Sequence, residues 1–202
     1  MQLKLADLLD IDGVLALHSK FQIDTIKEED KKDGFVTTAF TKDQLSELIL
    51  GENGLFIAKD DGVVVAYVMA ASWHFWSTYP VKAYMIGQLH NYKFNGETLS
   101  AENSYQYGPI CIDTTVRGAG VLEKIFAYAL ESMSQRYPIL VTFINKTNPR
   151  SLSAHTKKLG LSVLNEFQFN NSSYYWLACS TRTEANRLTP DAPIGNQGSN
   201  VW

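Results

Sequence analysis

One segment limits the fold more than any other: Tyr105 to Arg136, where an apolar run passes through a glycine turn into a long amphipathic helix. Tyr105 to Ile112 reads as a strand. Residues 118–136 read as a helix with apolar positions at Val121, Leu122, Ile125, Phe126, Ala129, Leu130 and Met133, the repeat of a helix buried along one side. Pro138 ends the segment, and Ile139 to Ile144 is a further buried strand. Such a strand–helix–strand unit pairs its strands in parallel through a right-handed crossover, unless the sheet splays there. The turn itself runs Ile110-Cys111-Ile112-Asp113-Thr114-Thr115-Val116-Arg117-Gly118-Ala119-Gly120-Val121. The first N–H groups of a helix lack internal partners, and the helix dipole adds partial positive charge there. Small residues at 118–120 remove side-chain bulk, so a diphosphate can reach the backbone. On the residues alone, the same turn also reads as a packing device. The phosphate loop with Gly-Lys-Ser/Thr, the dinucleotide glycine fingerprint after the first strand and the serine nucleophile elbow are all absent.

The elements around this unit follow from period and punctuation. Residues 2–5 predict a short strand, and Asp7 can cap a helix to about Phe21. Residues 22–34 are charged and read as a loop. Thr41 and Gln44 form a capping-box pair for a second helix with Leu45, Leu48 and Ile49 inward. Leu55 to Lys59 and Val63 to Ser72 predict a hairpin through Asp60-Asp61-Gly62. Residues 73–104 are rich in aromatics and lack a clear period, with a short helix read at Val81 to Leu89; a stretch this long is functional or partly helical. Asn148 can cap a helix that has Pro149 first, runs to Leu159 and stops at Gly160. Strands at about 161–169 and 174–179 follow. The order βααβββαβαββ predicts an α/β (α+β) fold, a mixed and mostly antiparallel sheet of about seven strands with about four helices. Residues 1–180 form one domain. Residues 181–202 read as a tail lying on its own domain or on a second copy, which leaves a homodimer open.

Composition excludes more than it selects. The 202 residues are 45% hydrophobic and 19% charged, with net charge −3. That suits a globular core and gives no sign of a nucleic-acid partner. No apolar run is long enough to span a bilayer, and Met1-Gln2-Leu3-Lys4 lacks the layout of a signal peptide. Cys111 and Cys179 read as reduced core thiols, and the expected compartment is a reducing, cytoplasmic one. His18, His74, His90 and His155 are scattered, so no metal site is expected.

From residue 2 to 179 the chain resembles the GCN5-related N-acetyltransferase (GNAT) superfamily. That family has this element order and a pyrophosphate loop of the form Arg/Gln-x-x-Gly-x-Gly/Ala, here Arg117-Gly118-Ala119-Gly120-Val121-Leu122. Leu122 stands where the family prefers Gly or Ala. A later family motif matches Asn148 through Lys157-Lys158-Leu159-Gly160-Leu161. The resemblance implies an acetyl-CoA-dependent N-acetyltransferase acting on an amine by direct attack, with acetyl-CoA as co-substrate. It implies that backbone groups around Val116 to Leu122 hold the coenzyme A pyrophosphate. It also implies that Ile110 and Ile112 offer backbone groups to the acyl-pantetheine arm, and that Asn148 hydrogen-bonds this arm.

The tyrosine with which many family members protonate the leaving thiolate is missing. Counting from Asn148, its place falls on His155; counting back from Gly160, it falls on Thr156. His155 can serve as a general acid or be a core histidine in line with Leu152 and Leu159. Candidates for the base are Asp113, which also suits a turn cap, and His74, His90, Glu102, Tyr105 and Tyr107. Cys111 reads as a buried strand cysteine rather than a nucleophile. The insertion 73–104 lies where the family builds its acceptor site, which makes Trp76, Tyr84 and Tyr105 candidate acceptor contacts. The same aromatics also suit a cover for one face of the sheet. A non-catalytic acyl-CoA-binding protein and a partner-binding protein are the competing classes.

Overall fold

The computed structural model describes residues 1–26 and 34–182. The tail beyond 182, and the subunit contact read into it, lie outside the described residues. In chain order the strands are β1 (Gln2–Leu5), β2 (Leu55–Asp60), β3 (Val63–Ala71), β4 (Lys93–Phe94), β5 (Glu97–Thr98), β6 (Ser104–Ile112), β7 (Ile139–Asn145), β8 (Ser162–Phe169) and β9 (Ser172–Ser180). Seven of them form the central sheet, in the order β1-β2-β3-β6-β7-β9-β8, and β4 pairs with β5 apart from it. Every pairing in the central sheet is antiparallel except β6 with β7.

That parallel pairing is short. Ser104, Tyr105 and Gln106 face Ile139, Leu140 and Val141, and beyond them the strands part. β6 continues on β3 as far as Ile112, while β7 continues on β9 as far as Asn145. The sheet therefore splays in its middle, and the outer half of β6 has one unpaired edge. At the point of separation Thr142 Oγ1 donates to Tyr107 O at 2.7 Å.

The helices are set by local chemistry. Asp7 and Asp10 make a reciprocal capping box for the 3-10 turn Leu8–Asp10, which leads into α1 (Ile11–Ser19). Thr41 and Gln44 do the same for α2 (Lys42–Glu52), closed by Asn53 in the left-handed region. The insertion is more ordered than its lack of period implies. It contains α3 (Trp73–Trp76), α4 (Pro80–Gln88) and the β4–β5 hairpin around Asn95-Gly96. The helix expected from 118 starts only at Val121 (α5, Val121–Ser134), because Gly118 and Gly120 hold φ of 84° and 72°, which no right-handed helix accepts. The Asn148 helix is α6 (Pro149–Ser153) followed by a π-helical turn over Ala154–Lys158. A π turn takes in one extra residue. The described residues thus hold two α-helices more than the four expected.

Side-chain alternation along the strands divides the core. Tyr67, Met69 and Ala71 face α1 and α2, while Ala66, Val68 and Ala70 face α5 with Ile125, Phe126 and Ala129. Trp73, Met85 and Leu89 of the insertion pack over Ile139, Val141 and Trp176. The insertion thus covers the face of the sheet beside α1 and α2, in line with one of the two readings of its aromatics.

Candidate active site

A cleft of about 490 Å³ opens where the sheet splays. One wall is the end of β6 at Ile110, Cys111 and Ile112, and another is the turn from Val116 to Gly120 with the first residues of α5. α6 and its π turn close a third side with Asn148, Ser151 and His155, and Phe21 and residues 34–36 close the fourth.

The turn is built to leave backbone exposed. Gly120 is the N-cap of α5 and no side chain caps it. The first backbone bond into the helix is Lys124 N to Gly120 O, 3.1 Å, so the N–H groups of Val121, Leu122 and Glu123 precede the first helical bond. A Cβ built on Gly118 or Gly120 would meet nothing within 4 Å; these glycines are required by their φ, and their bare surface is open space. Basic groups gather round the cleft. Arg117 lies over the Phe21 ring at 5.1 Å and donates from Nε to Ile112 O at 3.3 Å. Arg150 and Lys158 line the rim, and Lys158 reaches Glu123 at 3.8 Å. Every member of the 117–122 turn except Ala119 lines the cleft.

Backbone pairing decides which groups of β6 face the cleft. Asp113 N donates to Val65 O at 2.8 Å, and Cys111 stands opposite Tyr67. Antiparallel bonding alternates along a strand. Asp113 and Cys111 therefore bond toward β3, and the N–H and C=O of Ile110 and Ile112 point into the splay.

A smaller cleft of about 110 Å³ adjoins the first on the far side of this edge. The two share Phe35, Val36, Ile110, Asn148, Ser151 and His155. Lys82, Gln106, Pro109, Thr142 and Tyr174 are among its other walls.

His155 stands at the junction of the clefts and Thr156 does not; Thr156 Oγ1 turns back to Leu152 O at 2.8 Å. The π turn resolves the ambiguity in counting, since Leu159 N bonds to Ala154 O five residues back at 3.2 Å. His155 Nδ1–H donates to Ser151 O at 2.8 Å, so Nε2 carries the lone pair of the neutral ring. Burial pushes its pKa below the ordinary histidine value, against a smaller opposing effect of the Ser151 hydrogen bond. The ring is buried, edge-on to Tyr107 at 5.7 Å. It is both a packed histidine and a wall of both clefts. Asn148 also borders both, but its Oδ1 is occupied in capping Ser151 N at 3.1 Å, and Nδ2 reaches Phe35 O at 3.5 Å.

Other candidates fall elsewhere. Asp113 is outside both clefts and caps the turn, accepting from Thr115 N at 3.0 Å and from Thr115 Oγ1 at 2.8 Å. Lys20, 2.7 Å away, and the Thr115 N–H hold its carboxyl at about 2, too acidic for a base near neutrality. Trp76 is buried, donates from Nε1 to Gln106 O at 3.3 Å and lines neither cleft. Tyr84 stacks on Phe167 at 5.8 Å away from the clefts. Tyr105 is fully buried in the α5 side of the core. None of these three expected acceptor contacts borders either cleft: Trp76 and Tyr105 are drawn into packing, and Tyr84 lies partly exposed over Phe167 and Phe169. His74, His90 and Glu102 are exposed and lie outside both clefts, and the hydroxyl of Tyr107 is enclosed in the core without a partner. Cys111 lines the larger cleft, but burial pushes its thiol to about 12, so it is not a nucleophile at neutral pH.

Lys82, a wall of the smaller cleft, is missed by the sequence reading. Its only signal is position: with Met85 and Leu89 it makes the buried stripe of α4 and its continuation, and a lysine in an apolar stripe is out of place.

Among the described residues, no cluster of three or more His, Cys, Asp or Glu can hold a metal ion, and no helix is long and apolar enough to cross a membrane. No protein-family model and no curated relative matches the sequence. Solved structures do match. A ribosomal-protein-alanine N-acetyltransferase from Brucella melitensis aligns with a TM-score of 0.59 at 14% identity, over 89% of this chain and 99% of that one. A Salmonella typhimurium protein solved with its cofactor acetyl-CoA gives 0.58 at 14% identity, over 95% and 98%. A GNAT superfamily phosphinothricin acetyltransferase from Sinorhizobium meliloti, in complex with acetyl-CoA, gives 0.59 at 12% identity, over 89% and 87%. With its splayed seven-stranded sheet and its bare helix start beside the splay, the chain has the fold of the GNAT superfamily acetyltransferases.

Proposed function

We propose that this protein transfers an acetyl group from acetyl-CoA to an amine. The observation that carries the reading is the pairing of two backbone surfaces across one cleft: the uncapped start of α5 and the edge of β6 that β7 leaves, where, among the described residues, Ile112 O is met only by the Arg117 side chain. The first suits a diphosphate. The second suits the amide-bearing arm of pantetheine, which can bond to Ile110 and Ile112 as an added strand does. The acetyl-CoA bound in two of the similar structures supports the same assignment. Arg117, the 118–122 backbone and Asn148 Nδ2 complete the proposed coenzyme site.

In this reading the thioester lies where the clefts meet and the amine enters by the smaller one. Holding both in attack geometry supplies several kcal/mol, on the order of the gain for intramolecular reactions. The neutral amine attacks the thioester carbonyl, and an N–H of β6 stabilises the oxyanion, a donor typically worth ~3 kcal/mol. The nitrogen, now cationic, gives a proton to His155 Nε2. Collapse of the tetrahedral intermediate breaks the C–S bond, and the imidazolium returns that proton to the thiolate. Amide and coenzyme A leave, and His155 is neutral again. The lowered histidine pKa suits both halves: it keeps the resting ring able to accept and makes the imidazolium a ready donor.

Calorimetry with acetyl-CoA tests the coenzyme site. The wild type is expected to bind saturably. Gly118→Ala and Gly118→Glu share the backbone strain of a positive φ, but only the second adds bulk and negative charge beside the α5 terminus. Binding retained in Gly118→Ala and lost in Gly118→Glu, with both variants folded by circular dichroism, is the expected result. A folded wild type that binds no acetyl-CoA refutes the proposal. Binding with no turnover on any amine leaves the non-catalytic acyl-CoA-binding class.

A further inference from the structure

The smaller cleft contains a cation that the transfer chemistry does not use. Lys82 is 2% exposed and lines that cleft. Its Nζ lies 4.3 Å from the centre of the Trp76 ring and 4.6 Å from that of Tyr79, with Phe143 at 6.0 Å. No carboxylate or other hydrogen-bond partner of Lys82 is present among the described residues. Ring faces offset part of the cost of burying an ammonium but do not neutralise it.

A second buried group in the same cleft also lacks its partner. Gln106 is 1% exposed; its Nε2 donates to Tyr107 O at 2.6 Å, while its Oε1 has no donor among the described residues. An unused positive donor and an unused acceptor thus sit in one small recess beside the junction where His155 stands. Both deficits are met by a small molecule that has an anionic oxygen for Lys82 and an N–H for Gln106.

Resting on the proposed acetyl transfer, we infer that the acceptor is a small amine bearing a carboxylate, with Lys82 as the anchor of that carboxylate and Gln106 Oε1 receiving one of the molecule's N–H groups. The recess, about 110 Å³ and sharing Ile110, Asn148 and His155 as walls with the larger cleft, favours a compact molecule of amino-acid type. One lysine matches one carboxylate; the anionic group is monovalent. Burial supports the assignment from another side. It lowers the Lys82 pKa to about 7, so at neutral pH the free recess holds ammonium and amine in comparable amounts, and an anion beside Nζ draws the group to the ammonium.

The test is a comparison of matched acceptors, the amino acids against their carboxamides, by release of coenzyme A thiol at neutral pH, on protein first shown to bind acetyl-CoA. The wild type is expected to prefer the acids at least tenfold in kcat/KM. Lys82→Met, close in length and uncharged, is expected to bind acetyl-CoA normally, to raise KM for the acids and to bring acids and amides within twofold of each other. A positioning effect on the fold alone would lower both sets equally. Equal use of acids and amides by the wild type overturns the inference without any variant. So does turnover of neither set by protein that binds acetyl-CoA. Equal loss of kcat on both sets in Lys82→Met makes Lys82 a proton carrier rather than an anchor, and also overturns it. Failure to bind acetyl-CoA is a different outcome and removes the transferase reading together with this one.

Discussion

At the scale of single residues, two buried titratable groups decide what the site can do. His155 is neutral at rest with Nε2 as its free acceptor. His155→Gln keeps a side chain able to bond Ser151 O but carries no proton; a general acid–base group of this kind is typically worth ~10²- to 10⁴-fold. The expected result is such a loss in kcat with acetyl-CoA affinity within about threefold of wild type. Unchanged kcat would return His155 to core packing. Lys82 makes a separate prediction about stability. Its folded pKa of about 7 lies below the ordinary lysine value of 10.5, so between these limits the unfolded chain binds more protons. The sign follows: below pH 7 both states are charged and the fold carries the whole cost of the buried ammonium, and stability recovers as pH rises toward 10. The full cost is on the order of 4 kcal/mol. Urea melts should show the wild type gaining on Lys82→Met from pH 7 to 9; parallel curves would mean that the ammonium is solvated.

At the scale of elements, the splay of β6 from β7 is the working part, and Thr142 sits where it begins. Its Oγ1 and Gln106 Nε2 both donate to Tyr107 O, so the last carbonyl before the gap is held by two side chains. Thr142→Val keeps the shape and removes one donor. A cost of about 1 kcal/mol is expected, read by urea denaturation, together with a weaker affinity for acetyl-CoA as the edge at Ile110 loosens; no change in either would mean that the splay is held elsewhere. The elements show why part of the fold is legible in the sequence. The βαβ unit, the Asp7 cap, the Thr41–Gln44 capping box and the glycine turn are readable because each rests on neighbours in the chain. The hairpin at Asn95-Gly96 escapes although an Asn-Gly pair is its ordinary mark; its two-residue strands leave no period to see. The π turn at Ala154–Lys158 leaves only an ambiguous count, because an extra residue in a helix has no composition of its own. Residue type alone points to Trp76 and Tyr84, which line neither cleft, while Lys82 of the same insertion lines the smaller one. Which face of α4 meets the gap depends on how α3 and α4 pack, and that is a tertiary fact.

At the scale of the whole molecule, one carboxylate ties the first edge of the sheet to its helical cover. Asp10, 3% exposed, accepts from Lys59 Nζ at 2.8 Å on β2 and lies 2.9 Å from Lys4 Nζ on β1. It also accepts from Asp7 N at 3.0 Å, closing the capping box that starts the first helix. Burial by itself would raise this carboxyl, but the bonds from Lys59, Lys4 and Asp7 N–H outweigh it and hold the pKa at about 2, against an ordinary value of 3.8. A depressed carboxylate contributes stability that is fully present above the unfolded pKa and is lost as pH falls through the folded one. The loss belongs to the window from about pH 4 to pH 2, and the shift corresponds to about 2 kcal/mol. Asp113, also held at about 2, titrates in the same window. It locks the turn before the glycines, so the sheet edge and the glycine turn should weaken together in acid. Asp10→Asn removes the charge that Lys59 and Lys4 share, while the partly exposed Lys4 keeps Asp7 at 2.7 Å, so the variant should be less stable at pH 7 by about the 2 kcal/mol scale of the pKa shift. Its loss between pH 4 and pH 2 should also be shallower than that of the wild type, since one of the two groups no longer titrates. Equilibrium denaturation at pH 7, 4, 3 and 2 measures both effects. An Asp10→Asn protein whose acid slope matched the wild type would place the acid sensitivity of the fold at Asp113 alone, and the anchoring of the sheet edge in packing rather than in charge: Leu3 and Leu5 of β1 on the α5 side, Leu55 and Ile57 of β2 with Leu17 and Leu45 on the other.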